Sequence, residues 1–181
     1  LPHGETRTQH LDRSWIEEVR SLGTALLASG ATPDCEQAGV GYLGITGTDG
    51  RVGEIVSSTL RLWASARWYP DAEPKPGQGE PDAVKNFLER VSQRHDPAVV
   101  AQARKVVSTV VRDGVVRLTD LDSPLMLHGT GPSTWTCDIC ETRHAHPSAE
   151  VCTRQGCRGS LREAAWHDEN DYYAWLAKHE P

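Results

Sequence analysis

The chain has 181 residues, a net charge of −6 and a pI near 5.7, with 38% hydrophobic residues and a mean hydropathy of −0.51. That is enough for one good-sized domain or two small ones, and the acidic balance argues against a surface that is basic throughout. No window approaches the ~20 apolar residues of a bilayer-spanning helix, and Leu1-Pro2-His3-Gly4-Glu5 lacks the basic-then-apolar order of a signal peptide, so a cytoplasmic protein with no membrane partner is expected.

The chain starts at Leu1 rather than Met, which reads as a piece of a longer polypeptide. Its charge is uneven. Residues 1–50 carry three Arg against seven acids, whereas residues 51–113 carry ten Lys/Arg against eight acids. A polyanion contact therefore belongs in the middle third.

Ser14-Trp15-Ile16-Glu17 has the form of a capping box, and Trp15, Val19, Leu22 and Leu26 follow at helical spacing, predicting a helix over 14–29. The glycine-dense run 38–53, with Val40 and Tyr42 alternating and a Thr48-Asp49-Gly50 turn, predicts a hairpin or an ordered loop. Ile55, Thr59, Leu62, Trp63 and Ala66 predict a helix over 54–67. The proline- and glycine-rich stretch 71–81 cannot hold a hydrogen-bond ladder and reads as a linker.

Val84, Phe87, Leu88 and Val91 define the next amphipathic helix, with Asp82 as its cap. Asp96-Pro97 then combines an N-cap with proline at the first helical position, and Val100, Ala103, Val107, Val110 and Val111 give an apolar face that Asp113-Gly114 ends. Val115–Leu118 and Pro124–Leu127 read as two short strands forming a hairpin, so 82–132 has the helix-helix-hairpin outline of a winged helix or a small bundle.

Four of the five cysteines fall in CDICETRHAHPSAEVCTRQGC, as Cys137-x-x-Cys140 and Cys152-x4-Cys157. Two thiolates on each of two tight turns match structural zinc spacing, and the short loop between the pairs suits a zinc ribbon. Two disulfides, or an iron–sulfur cluster, are the competing uses of the same thiols. No secretion signal accompanies them, and Cys35 would be left odd, so a four-cysteine Zn²⁺ site is expected.

His144 and His146 lie between the knuckles. Four sulfurs already fill a tetrahedral shell, and no Glu stands where a zinc deaminase would need its base, so both are expected to face solvent. Glu150 reads as a surface charge. There is no phosphate-binding Gly-Lys-Ser/Thr loop, no Gly-x-Ser-x-Gly elbow and no His-Glu-x-x-His, and a lone thiol at Cys35 is not a nucleophile without a base, so no catalytic residue is assigned.

Basic residues that could neutralise phosphates are Arg61, Arg67, Arg90, Arg94, Arg104, Lys105 and Arg112 on or beside the central helices, with Trp63, Trp68 and Tyr69 near the first. Arg154 and Arg158 join them on the ribbon.

Trp135-Thr136-Cys137-Asp138-Ile139-Cys140, then Cys152 to Cys157-Arg158-Gly159-Ser160-Leu161, then Asp171-Tyr172-Tyr173-Ala174-Trp175-Leu176 resemble a zinc-binding segment of large superfamily 2 (DEAD/DEAH-type) DNA helicases, including those of bacterial anti-phage defence systems. The resemblance covers about the last fifty residues. It implies that Cys137, Cys140, Cys152 and Cys157 are metal ligands, and that the chain is an accessory domain of a motor, with DNA and the rest of the helicase as partners.

The expected fold is α+β and mainly helical. Residues 1–70 form a helical region with the glycine-rich hairpin or loop, 71–81 a linker, 82–132 the helix-helix-hairpin, 133–163 the zinc ribbon and 164–181 a C-terminal helix. The alternative is a zinc-braced protein-interaction scaffold that docks through Trp15 and Trp175 and touches no nucleic acid.

Overall fold

The computed structural model describes residues 41–48, 50–67, 79–112, 115–116, 124–129 and 133–165. The expected helix over 14–29, Cys35, Trp68, Tyr69, most of the linker, and the C-terminal segment with Tyr172, Tyr173 and Trp175 lie outside them. Among the described residues no helix is long and apolar enough to cross a membrane.

Among the described residues the architecture is α+β: three helices and small antiparallel sheets. Strand β1 (Gly41–Ile45) leads through a turn into α1 (Gly50–Arg67). Every residue of α1 from Ile55 to Leu62 is buried, so this helix is covered on all sides and forms the centre of the molecule. Covering it so completely also buries Ser57, Ser58, Thr59 and Arg61; Ser58 and Arg61 find partners inside, whereas among the described residues Thr59 Oγ1 finds none.

Helix α2 (Asp82–Arg94) packs Val84, Phe87, Leu88 and Val91 into the core, the stripe its spacing predicts. Its cap differs from expectation. Pro81 holds the N-cap position, and Asp82 is the first helical residue, paired with Lys85 at 3.3 Å. The fixed φ of Pro81 already sets the chain direction, and its carbonyl accepts from Lys85 N.

Helix α3 (Pro97–Val107) starts as predicted, with Asp96 accepting from Ala98 N at 2.9 Å. It ends six residues before Asp113, because the hydroxyls of Ser108 and Thr109 bond back to the carbonyls of Lys105 and Val106. Such local bonds compete with the helical ladder.

The strand pairing departs from the expected hairpins. Val115–Val116 (β3) pairs with Val111–Arg112 (β2), and Leu125–Gly129 (β4) pairs with β1 in the register Leu43–Leu127. The glycine-dense run is thus one strand, one turn and a helix start. Gly44 has a local reason: a Cβ there would fall 2.5 Å from His128 Nε2 across the β1–β4 pair.

The ribbon is a three-stranded sheet, with β5 (Ser133–Cys137) between β6 (Arg143–His144) and β7 (Leu161–Ala165). It runs two residues past the expected boundary at 163. A single turn, Ser148–Glu150, joins it to α1. All three of its residues have positive φ, at 53°, 51° and 60°. None is glycine, so each carries the steric penalty of the left-handed region.

Neighbours hold this turn on every side. Ser148 Oγ lies 2.5 Å from Ser58 Oγ and donates to Val151 O, so Ser58 is the donor of the shared pair. Ala149 N donates to Glu54, Ala149 O accepts from His95 Nε2, and Glu150 pairs with Arg51. Strain of this kind persists only where the surroundings over-determine it.

Candidate metal centre

Strand β5 ends at Cys137, and the chain turns through Asp138 and exposed Ile139 to Cys140. The turn closes with Glu141 N donating to Cys137 O, which places Glu141 at φ +57°. The second knuckle runs from Cys152 to Cys157, with Gly156 at φ +77° as its turn residue. Asp138 ties the two knuckles together: its N–H donates to Ser160 O, and its Oδ1 accepts from Ser160 N at 2.8 Å.

This brings the four sulfurs within 4.8 Å of one another, with Cys137–Cys157 and Cys140–Cys152 each at 3.6 Å. Four ligands at the zinc–thiolate bond length would have sulfurs ~3.8 Å apart at the corners of a tetrahedron. A disulfide needs sulfurs about 2.05 Å apart, so these cysteines are free thiols rather than two cross-links. A cage this tight has room for one ion and none for a multinuclear cluster. The residues present fit a single thiophilic divalent cation.

Backbone donors already point at the sulfurs, with Arg154 N and Gly159 N each 3.4 Å from Cys152 and Cys157 respectively. The thiols are unequal. Burial pushes Cys152 and Cys157 up, whereas at Cys140 burial is outweighed by hydrogen bonding with Thr142, Cys137 and Cys157 together, which brings it down to about 6. A bound ion would displace the remaining protons, since only thiolates ligate.

His144 and His146 do not face solvent. They are 0% and 4% exposed, which corrects the expectation for both. His144 lies in β6 opposite Trp135, and its Nδ1 is 3.1 Å from Arg61 Nη1. His146 accepts from Ser148 N and packs against the Tyr42 ring, whose other neighbour is the stacked ring of His128. Neither histidine belongs to the sulfur cluster. Burial, reinforced by the Arg61 charge, holds His144 down at about 2 and His146 at about 3, so both are neutral. With Nδ1 accepting in each ring, the proton sits on Nε2, and among the described residues neither Nε2 finds a partner.

The basic residues divide by environment. Arg61 is 5% exposed and turned inward to His144, so it is not available to a phosphate. Arg67 is the last residue of α1 and Arg112 lies in β2. Arg104 pairs with Glu80 and lines a groove with Trp63 and Val107, while Lys105 is exposed beside it.

Arg90, Arg94 and Arg158 converge. They line one groove of about 590 Å³ between α2 and the second knuckle, together with Asn86, Gln93 and Gln155. Among the described residues Glu89 is the single carboxylate in its wall, and Arg154 stands exposed on the same knuckle.

Sequence reading did not isolate this groove, because arginines at 90, 94 and 158 meet only when the knuckle docks on α2. The i, i+4 spacing of Arg90 and Arg94 was the one local signal. No family model, curated protein or solved structure matches the chain.

Proposed function

We propose that the chain is a Zn²⁺-braced accessory domain of a DNA helicase or translocase, and that it meets nucleic acid along the groove between α2 and the second knuckle. The observation that carries the reading is Arg158 in the wall of one groove beside the charges of Arg90 and Arg94, whose donors turn to the ribbon, with Arg154 exposed on the same knuckle. Guanidiniums gathered this way neutralise phosphates and release counterions, even on a chain whose net charge is negative. Zinc is the ion that four thiolates in a closed tetrahedral shell suit best, and it adds no redox chemistry of its own. The helicase context rests on the likeness of the Trp135–Cys140 and Cys157–Leu161 runs to such proteins.

Arg154 and Arg158 are the contact residues in this reading, being exposed and, among the described residues, without a side-chain partner. Fluorescence anisotropy with single- and double-stranded DNA at two salt concentrations tests it. Zinc-loaded protein should bind at low salt, and Arg154→Ala with Arg158→Ala should weaken binding and reduce the salt slope by about 2. Arg104→Ala should leave both unchanged. Absence of binding to either form at low salt, or an unaltered slope in the double variant, would sink the DNA contact. Motor motifs in the flanking parent sequence decide the helicase context separately.

A further inference from the structure

Arg90 and Arg94 stand one helical turn apart at the end of α2, and both reach across to the ribbon. Arg90 Nη1 donates to the carbonyl of Cys157, itself one of the four cysteines. Arg94 Nη1 donates to Glu150 O at 2.8 Å and to Ser160 Oγ at 3.0 Å, and its Nη2 reaches Arg158 O at 3.4 Å. The next residue, His95, holds Ala149 O. Three attachments thus grip the chain just before the second knuckle, at its last ligand and just after it.

The charges are complementary as well. A divalent ion held by four thiolates leaves two surplus negative charges in a half-buried site, an unfavourable arrangement unless cations lie close by. The Arg90 guanidinium, bonded to the Cys157 carbonyl, stands beside the four-sulfur cluster. Charge-assisted bonds from such a group to ligand carbonyls are among the stronger hydrogen bonds a protein makes.

We propose that Arg90 and Arg94 form an outer layer of the metal centre and are its positioning residues, so that ion binding and docking of the ribbon on α2 are one thermodynamic event. The metal then braces the joint between the helical body and the ribbon rather than the ribbon alone. Partners outside the ligand shell commonly tune metal affinity by 10- to 100-fold. The inference rests on the four-cysteine site and is independent of any DNA contact.

The test uses Arg90→Gln, Arg90→Lys and the double variant Arg90→Gln/Arg94→Gln in the full chain. Zinc affinity is read by competition with a chromophoric chelator, and exchange of the α2 amides is followed with and without zinc. Arg90→Gln should weaken zinc about tenfold, with Arg90→Lys recovering part of the loss by restoring the charge. Zinc should slow amide exchange over 86–94 in the wild-type protein and fail to do so in the double variant.

Equal zinc affinity in all variants, or α2 exchange that ignores zinc in the wild type, overturns the proposal. Should the double variant not fold, the wild-type exchange experiment and Arg90→Lys still decide it. A chain that shows this coupling but binds no DNA would retain this inference and lose the proposed function.

Discussion

Arg61 and His144, eighty-three residues apart, meet inside the protein with Nη1 3.1 Å from Nδ1. A guanidinium can only donate, so the imidazole accepts and is neutral. An arginine that reads in sequence as a phosphate contact, and a histidine that reads as a loop residue, are therefore one internal pair linking α1 to the ribbon.

A pH dependence follows from it. His144 and His146 are held near 2 and 3 in the folded chain, against about 6.5 when unfolded. Above about pH 6.5 both states are neutral and neither histidine affects stability. Below it the unfolded chain takes up protons that the folded chain refuses, at a cost of about 1.4 kcal/mol per pH unit for each histidine. The pair should remove about 3 kcal/mol by about pH 5.5, with the loss levelling off only near the folded values. Denaturant unfolding across this range measures it. Thiolate ligands also release metal in acid, so the decisive comparison is His146→Gln, whose stability should fall with a slope one proton shallower than wild type. An unchanged slope would mean His146 is already protonated or open to water.

Gly159 carries a second prediction. A Cβ at this position would overlap Cys137 Sγ and come within 2.8 Å of Asp138 Oδ1, so the knuckles close only around a bare backbone. Gly159→Ala must push Cys137 out of the sulfur tetrahedron, and zinc affinity in a chelator competition should drop at least tenfold. Gly156, at φ +77° with nothing within 4 Å of an added methyl group, is the control. Gly156→Ala should cost about 1 kcal/mol of backbone strain while leaving the ligand geometry intact. Similar losses from the two variants would refute the close approach at Cys137.

The parts of the molecule written in short-range spacing could be read directly. The Cys137/Cys140 and Cys152/Cys157 pairs, the α2 stripe from Val84 to Val91 and the Asp96-Pro97 start of α3 each depend on neighbours within a few residues. What depends on distant partners could not. Leu125–Gly129 pairs with Gly41–Ile45 because α1 places β1 beside it, and nothing local distinguishes that edge from the expected hairpin with Val115–Leu118. His144 and His146 look like ordinary loop residues until Arg61 is known to lie against the first and Tyr42 against the second. Polar residues carry no periodic mark of burial, since burial is permitted only by the partner that satisfies them.

The left-handed residues give a last test, in which one kind of substitution should have opposite signs at two sites. Glu141 is exposed at φ +57°, and Ser148 is buried at φ +53°. Both pay about 1–2 kcal/mol for a conformation that glycine adopts freely. At Glu141 the relief outweighs the extra entropy glycine gives the unfolded chain, so Glu141→Gly should stabilise by about 0.5 kcal/mol. At Ser148 the same relief is overtaken by loss of the buried hydroxyl, which strands Ser58 Oγ and frees Val151 O. An unsatisfied buried group costs about 1–3 kcal/mol, so Ser148→Gly should destabilise by about 1 kcal/mol net. Denaturant midpoints of the two zinc-saturated variants should move apart, and a common direction of shift would mean that the turn is not held by the Ser58–Ser148 pair.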